Sequence, residues 1–202
     1  MSKIEDRYDN EEVKRVLFHE IGHYLANKIN YENGQPFYSN AISLMADADS
    51  GELLGRCESS AGYSNEPSKE TLAQDIGRLS MGCIFQSYFS DGTLLTCYRN
   101  NGHSDYIAKN SRQNKLIKVY EKWKHVRLLE IEEAFLDKLL NCNGLDFLND
   151  INPIELLYIV PEKGMWSVDI DKLEAKLDNQ SVKTFKVNYL AFLTDLNRVI
   201  NH

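Results

Sequence analysis

Residues 11–29 read EEVKRVLFHEIGHYLANKI, and this stretch carries the strongest pattern in the chain. Its apolar residues recur at the spacing of one face of an α-helix. They are Val13, Val16, Leu17, Ile21 and Leu25. Asn10 precedes them as the expected N-cap, and Glu11 and Glu12 suit the first turn, where backbone N–H groups lack partners. The stretch therefore predicts a helix that ends near Asn30, before Asn33-Gly34.

The same helix carries a His-Glu-x-x-His motif at His19, Glu20 and His23. Each helical residue advances by about 100°, so the two histidines share one face, with Glu20 beside them. Two neutral imidazoles at this spacing can bind one zinc ion, and a catalytic zinc keeps a position for a water whose pKa falls to ~7. Glu20 then lies where a general base is needed. We interpret the motif as a hydrolytic metal site rather than a chance pattern on a solvated helix.

Length and composition restrict the remaining possibilities. With 202 residues, of which 43% are hydrophobic and 26% charged, the chain suits a single globular domain. A net charge of -7 argues against nucleic acid or an anionic membrane surface as the main partner. No apolar run approaches the ~18–20 residues that span a bilayer, so we expect a cytoplasmic protein. The four cysteines form no Cys-x-x-Cys pair and are expected to be reduced, mostly buried thiols.

Two short strands are predicted after the first helix. Residues 41–45 and 53–57 are rich in apolar residues and flank a polar turn at residues 47–51. The strand at residues 41–45 is the one we expect to offer a free edge to an extended peptide, which would bind through main-chain hydrogen bonds.

Helical patterns dominate the rest of the sequence. We predict a helix through Leu72 and Cys83 that starts near Ser68 or Thr71, a loop at residues 93–102, and one long helix or two joined helices at residues 105–141 with Ser104 as a cap. A short helix should begin at Asn152-Pro153 and end at Pro161–Gly164, followed by one or two amphipathic helices at residues 169–200. The fold class is mainly α (α+β), with a core at about 10–140 and a helical C-terminal extension at about 145–202.

A basic stretch between residues 112 and 127 is better explained as a solvated helix face than as a nucleic-acid site, because Glu121 and helical spacing interrupt it. His125, within it, is expected to be a surface or packed histidine.

A zinc ion held by His19 and His23 needs a third protein ligand from another segment. Four residues lie near predicted helix starts or faces that can oppose the first helix. They are Glu70, Asp75, His103 and Asp105. The residues alone do not choose among them.

The order of the motifs resembles the peptidase domain of the FtsH-type ATP-dependent zinc metalloproteases. The resemblance rests on His-Glu-Ile-Gly-His, the hairpin at residues 41–57, the helix containing Ser80-Met81-Gly82, and Gly102-His103-Ser104-Asp105 at the start of a helix. In that family a Gly-Ala-x-Asn-Asp stretch supplies the third zinc ligand with its last residue. The resemblance therefore implies that Asp105 is the third ligand, with His103 as the rival ligand or a group that stabilises an oxyanion.

The sequence departs from that family in two places. Residues 80–86 read SMGCIFQ where the family has its Gly-Gly-Arg-Ala-Ala-Glu core, and Gly102 lies three residues before Asp105 where the family has four. The family's peptidase domain follows an AAA+ ATPase domain and a membrane anchor, whereas His19 lies close to Met1, so we expect a stand-alone relative.

The resemblance and the motif together imply a zincin-like metallopeptidase that contains Zn²⁺ and cleaves unfolded or flexible polypeptides. A separate ATPase or a second copy of the chain is a candidate partner. Two alternatives stay open: an inactive zinc-binding interaction module, in which the changes at residues 80–86 reflect lost activity, and a zinc hydrolase of a non-peptide amide. The presence of Glu20 argues against the module, because structural zinc requires no general base.

Overall fold

The computed structural model describes residues 3–35, 37–61, 67–90, 92–100, 102–177 and 179–201. Its helices are α1 (Asn10–Glu32), α2 (Lys69–Phe89), α3 (Leu94–Arg99), α4 (His103–Val119), α5 (Leu128–Asn141), α6 (Pro153–Leu156), α7 (Ile170–Leu177) and α8 (Gln180–Asn201). Its strands are β1 (Phe37–Ala46), β2 (Leu53–Ala61), β3 (Leu157–Val160) and β4 (Met165–Val168). The predicted mainly α fold with a small sheet is confirmed. In the part of the chain covered by these ranges, no helix is both long enough and apolar enough to cross a bilayer.

Helix α1 lies at the centre of the molecule, in contact with α2 and with both strands of the hairpin β1–β2. It begins one residue earlier than predicted, because Asp9 rather than Asn10 is its N-cap and accepts a hydrogen bond from the Glu12 backbone at 2.7 Å. A Cβ at Gly22 would lie 2.4 Å from the Met81 carbonyl oxygen. The absence of that atom lets α1 and α2 cross closely just where the histidines face α2.

The sheet contains four antiparallel strands in the order β2-β1-β4-β3. The two predicted strands are confirmed, and each is longer than expected. The predicted free edge at residues 41–45 is wrong, because β4 pairs with β1 on the side away from β2. Among the described residues, β2 is the edge strand beside α1.

The C-terminal part is not wholly helical, which corrects the prediction for residues 145–202. Strands β3 and β4 form a hairpin there, and its turn runs through Pro161 and Gly164, with Gly164 at φ 61°. The predicted short helix is present and capped by Asn152, whose side chain accepts from the Ile154 backbone at 3.2 Å, but it ends at Leu156. Both strands are rich in aromatic and β-branched residues, which favour extended structure.

The segment between α2 and α5 is more broken than predicted. The N-cap Ser68 of α2 is confirmed, but residues 93–102 are not all loop, since α3 occupies Leu94–Arg99 with Thr93 as its cap. Of the two alternatives for residues 105–141, one long helix is wrong and two helices are confirmed, but a 3-10 turn at Glu121–His125 separates them. Helix α4 begins at His103, so Ser104 lies inside it and is not a cap.

Most of the basic stretch is exposed, as predicted, and so is His125. Arg112 is the exception, because it donates to the buried carboxylate of Asp75 at 2.7 Å.

The cysteines depart from the expectation of four reduced thiols. Cys83 of α2 and Cys97 of α3 form a disulfide, with their Cα atoms 5.6 Å apart. Cys57 and Cys142 are free thiols. Cys83 and Cys97 are brought together only because α3 folds back onto α2, a packing that their 14-residue separation does not reveal.

Candidate metal centre

The structure brings His19, His23 and Asp105 together, although Asp105 is 82 residues beyond His23. The Asp105 Oδ2 atom lies 2.8 Å from His19 Nε2 and 3.0 Å from His23 Nε2, and the two Nε2 atoms are 3.2 Å apart. The two histidines come from α1, and Asp105 comes from the first turn of α4. We call these three side chains the acceptor cluster.

The tautomers of both histidines are set by their other ring nitrogens. His23 Nδ1 lies 3.0 Å from the Arg78 carbonyl oxygen, which can only accept a hydrogen bond, so Nδ1 carries the proton. His19 Nδ1 donates in the same way to Gln86 Oε1 at 3.1 Å. In the neutral rings both Nε2 atoms therefore present lone pairs toward a carboxylate, which is also an acceptor.

Three acceptors in contact repel one another unless a proton or a cation lies among them. Two imidazole nitrogens and a carboxylate oxygen form a usual zinc ligand set, and ligands of one tetrahedral zinc with bonds of ~2.0–2.1 Å lie roughly 3.3 Å apart. The observed separations of 2.8–3.2 Å are close to this value. The chemistry and spacing of the cluster thus fit a divalent metal.

Gly82 of α2 leaves a space beside the two histidines. A Cβ at this position would lie 2.5 Å from His19 Nε2 and 2.5 Å from His23 Nε2. Any larger residue would fill the space toward which the lone pairs of the two Nε2 atoms point. The glycine therefore leaves space for an ion beside the two Nε2 atoms.

Glu20 lies in the same cleft, beneath strand β2. Its side chain is 7% exposed, and a Cβ at Gly55 would lie 2.6 Å from its Oε1 atom. The strand can pass over the carboxylate only because residue 55 has no side chain. The Cys57 backbone also hydrogen-bonds the carboxylate. Glu20 is thus held in a fixed position next to the acceptor cluster.

Burial and charge act in opposite directions on the cluster. Burial lowers the pKa of His23, but the Asp105 carboxylate outweighs this effect and raises the pKa to about 9. Burial raises the pKa of Asp105, yet His23 and His19 hold it well below its usual range. Burial raises the pKa of Glu20, with the two histidines opposing the shift. In the metal-free protein a proton on His23 therefore supplies part of the positive charge that the cluster lacks.

The acceptor cluster and Glu20 line a cleft of about 810 Å³. One wall is the edge strand β2, from Leu53 to Cys57, and another contains Ser104 and Asp105 of α4.

The edge strand directs backbone groups into this cleft. Across the β1–β2 hairpin, the Asp47 N–H donates to the Glu52 carbonyl at 2.8 Å. Hydrogen-bonded and non-hydrogen-bonded pairs alternate along an antiparallel ladder. Residues 53, 55 and 57 consequently point their backbone N–H and C=O groups away from β1, toward the free edge.

The other candidate ligands do not join the cluster. His103 and Glu70 are exposed and do not line the cleft. Asp75 is fully buried, but its carboxylate accepts from Arg78 and Arg112, each at 2.7 Å. A second group of potential metal ligands contains His19 with Cys83 and Cys97, and the disulfide removes both of its sulfurs from that role.

Four supporting groups were missed from the sequence: Gln86, the Arg78 carbonyl, Gly55 and Gly82. An isolated glycine within a strand or helix pattern signals close backbone approach, so the two glycines carried a usable signal. Gln86 and the carbonyl carried none, because their role depends on how α1 and α2 pack.

Comparison with protein-family models, curated proteins and solved structures finds no significant match.

Proposed function

We propose that this protein is a zinc-dependent metallopeptidase in which His19, His23 and Asp105 hold Zn²⁺ and Glu20 is the general base. The observation that carries the proposal is the convergence of three acceptors beside a buried carboxylate in one open cleft. The resemblance to the peptidase domain of FtsH-type proteases supports it, since that resemblance also indicates Asp105. A zincin-like identity of the fold belongs to the same proposal.

The protein's own groups suit hydrolysis of an amide. A bound zinc would polarise the scissile carbonyl and lower the pKa of a water in the cleft. Glu20 accepts the proton of the attacking water and passes it to the leaving amine. Burial favours its neutral form, so the carboxyl group can hold that proton between the two steps. The Cys57 backbone and Gly55 keep the carboxylate in place.

The edge of β2 suits an extended polypeptide. The outward backbone groups of residues 53 and 55, together with the Cys57 carbonyl, can pair with a peptide added as a further strand, giving affinity with little dependence on sequence. The Cys57 N–H is already hydrogen-bonded to Glu20. A folded protein must lose about 5–15 kcal/mol of stability before its backbone can lie extended there. We therefore expect unfolded or flexible substrates, or proteins that an ATPase has first unfolded.

The variant Glu20→Gln tests the proposal. The amide keeps the shape of the side chain but cannot accept a proton, so cleavage of a disordered protein should fall by roughly 10²–10⁴-fold. Zinc content should not change, and the melting temperature should stay the same or rise, because burial opposes a charge that the amide does not carry. The matched control is Glu12→Gln, which replaces another carboxylate in the same cleft and should cleave at the wild-type rate.

Three outcomes separate the alternatives. Cleavage by Glu20→Gln at the wild-type rate would exclude Glu20 as the base. Stoichiometric zinc with no cleavage of any peptide by the wild type would favour the interaction module or the non-peptide hydrolase. Efficient degradation of a stable folded protein, without ATP or a partner, would contradict the substrate class.

A further inference from the structure

We propose that the Cys83–Cys97 disulfide is a redox element coupled to the metal centre, and that its reduction weakens metal binding. The inference rests on the proposed function, because it concerns the same three ligands. The two sulfurs contact both sides of the acceptor cluster: the residue that orients His19 and the backbone that carries Asp105.

The first contact runs through Gln86. Cys97 Sγ lies 3.2 Å from Gln86 Oε1, the atom that accepts from His19 Nδ1 at 3.1 Å. A disulfide sulfur has no hydrogen to donate. In the oxidised protein Gln86 Oε1 therefore accepts a hydrogen bond from His19 and none from Cys97. All three side chains are buried.

The second contact runs through Gly102. A Cβ on Gly102 would lie only 2.3 Å from Cys83 Sγ, which means that the backbone of residue 102 packs directly on the disulfide. The Gly102 carbonyl accepts from the Tyr106 N–H at 2.9 Å, so residue 102 belongs to the first turn of α4. Asp105 lies within that same turn. A displacement of Gly102 therefore moves the third ligand.

Reduction changes both contacts. A dithiol reductant supplies two electrons and two protons, the S–S bond breaks, two thiols form, and the reductant becomes a disulfide. Cys97 is the expected point of attack, because it is 4% exposed whereas Cys83 is fully buried. A peroxide reverses the change: the two thiols lose two electrons and two protons as the O–O bond breaks, giving the alcohol and water.

The reduced form has no room for its two sulfurs. Bonded sulfurs lie ~2.05 Å apart, and non-bonded ones need more space in a region where both cysteines are buried and Gly102 is in contact. Gly102 must shift, and Asp105 shifts with it. The new Cys97 S–H also donates to Gln86 Oε1, so this oxygen accepts from a second donor beside His19 and the amide that orients His19 changes position. Both effects loosen the set of His19, His23 and Asp105.

Reduction also frees the Cys83 and Cys97 sulfurs, which with His19 form the second group of potential metal ligands. The loosening of the acceptor cluster is therefore measured separately in a variant that lacks both thiols.

The test compares zinc affinity of the metal-free full chain in its two redox states. One sample is kept oxidised, and the other is reduced with a trialkylphosphine that is removed before titration. A thiol assay should find two reactive cysteines per unfolded chain in the first sample and four in the second. Zinc is then titrated against a chromophoric chelator. We expect roughly 10–100-fold weaker binding after reduction, the usual effect of disturbing groups that orient metal ligands.

Two variants serve as controls. The double variant Cys83→Ser/Cys97→Ser has neither the disulfide nor the two sulfur ligands. It should bind zinc less tightly than the oxidised wild type, because the serine hydroxyl at position 97 can donate to Gln86 and the packing on Gly102 is lost, and it should not respond to the phosphine. The variant Cys142→Ser, which removes an exposed free thiol, should respond as the wild type does. Helical circular dichroism is measured for every sample.

The outcomes distinguish this inference from the proposed function. Equal zinc affinity of the oxidised wild type and the double variant would overturn the coupling and leave the metallopeptidase proposal intact. Loss of the helical signal on reduction would also overturn it, because the effect would then be global unfolding. Absence of zinc binding in both states would overturn the proposed function itself.

Discussion

Two clusters of polar side chains lie next to each other along helix α4. They differ in whether the positive and negative charges within the cluster balance one another. The first is the acceptor cluster of His19, His23 and Asp105. The second, which we call the ion-pair cluster, joins Lys109 of α4 to Glu132 of α5 and Ser80 of α2. Lys109 follows Asp105 by one helical turn, so the two clusters are neighbours.

The ion-pair cluster is complete without any ligand. The Lys109 Nζ atom donates to both Glu132 carboxylate oxygens, at 2.6 Å and 2.9 Å, and Ser80 donates to the same carboxylate. Lys109 Nζ also lies 3.6 Å from the centroid of the Tyr98 ring. Lys109 is 3% exposed and Glu132 is fully buried. Each charge has a partner of opposite sign or a donor suited to it.

The acceptor cluster has no such internal balance. Its neutral histidines present two lone pairs to a carboxylate, and the balance must come from protons or from a bound cation. The comparison teaches that burial of polar groups is not by itself a sign of a functional site. What marks the acceptor cluster is that its three converging atoms are all acceptors unless a proton or a cation lies among them.

The largest expected effect on stability comes from breaking the ion-pair cluster. Lys109→Met removes the cation and leaves Glu132 buried without its partner, which should lower the free energy of unfolding by about 3–5 kcal/mol. The double variant Lys109→Met/Glu132→Gln should recover most of the loss, because the amide is uncharged. Urea denaturation of the metal-free proteins measures both. A single variant as stable as the wild type would contradict the balance described for this cluster.

Zinc should stabilise the wild type by completing the acceptor cluster. A ligand that binds only the folded state adds about 2.7 kcal/mol when present at 100 times its dissociation constant. The change Asp105→Ala should abolish this gain at the same zinc concentration, whereas His103→Ala, two residues away and exposed, should retain it. Thermal unfolding with zinc and with a chelator measures the difference. If Asp105→Ala kept the full gain and His103→Ala lost it, His103 would be the third ligand.

The features that depend on local sequence patterns could be predicted from the sequence. The period of α1, the spacing of His19 and His23, and the hairpin all follow from residues close together in the chain. The choice of Asp105 over His103 was different, because it came from a family resemblance and not from the residues themselves. The structure brings Asp105 to the histidines and leaves His103 exposed.

The missed features depend on contacts between distant segments. β4 forms beside β1 across more than 110 residues, and its four residues are too few to show a period. The pairing of Lys109 with Glu132 and of Cys83 with Cys97 requires the packing of α3, α4 and α5 around α2. The free edge was assigned to β1 rather than β2 for the same reason, since strand order is a long-range property.

Gly82→Ala should abolish the stabilisation by zinc in a protein that still folds. Its Cβ would meet His19 Nε2 and His23 Nε2 at 2.5 Å, so both buried rings must shift against the hydrogen bonds that hold them. The metal-free protein should lose about 1–3 kcal/mol of stability by overpacking, a loss that the higher helix propensity of alanine partly offsets. The gain from zinc should disappear.

Gly92→Ala provides the control for that change, because the nearest atom to its Cβ would be 3.4 Å away. Thermal unfolding with and without zinc measures both variants. A Gly82→Ala protein with the full stabilisation by zinc would show that the space beside the histidines is not needed for the metal.

The smallest effect is expected from an ion pair that is neither buried nor part of a site. Lys124 donates to Glu121 at 2.7 Å, a distance as short as those in the ion-pair cluster, but the side chains are 45% and 84% exposed. Water already solvates both charges, so Lys124→Met should change the free energy of unfolding by only about 0–0.5 kcal/mol. Urea denaturation alongside Lys109→Met makes the comparison direct, because the same substitution removes one exposed and one buried lysine. Equal losses in the two variants would show that proximity of opposite charges, and not their burial, sets the energy of such pairs in this protein.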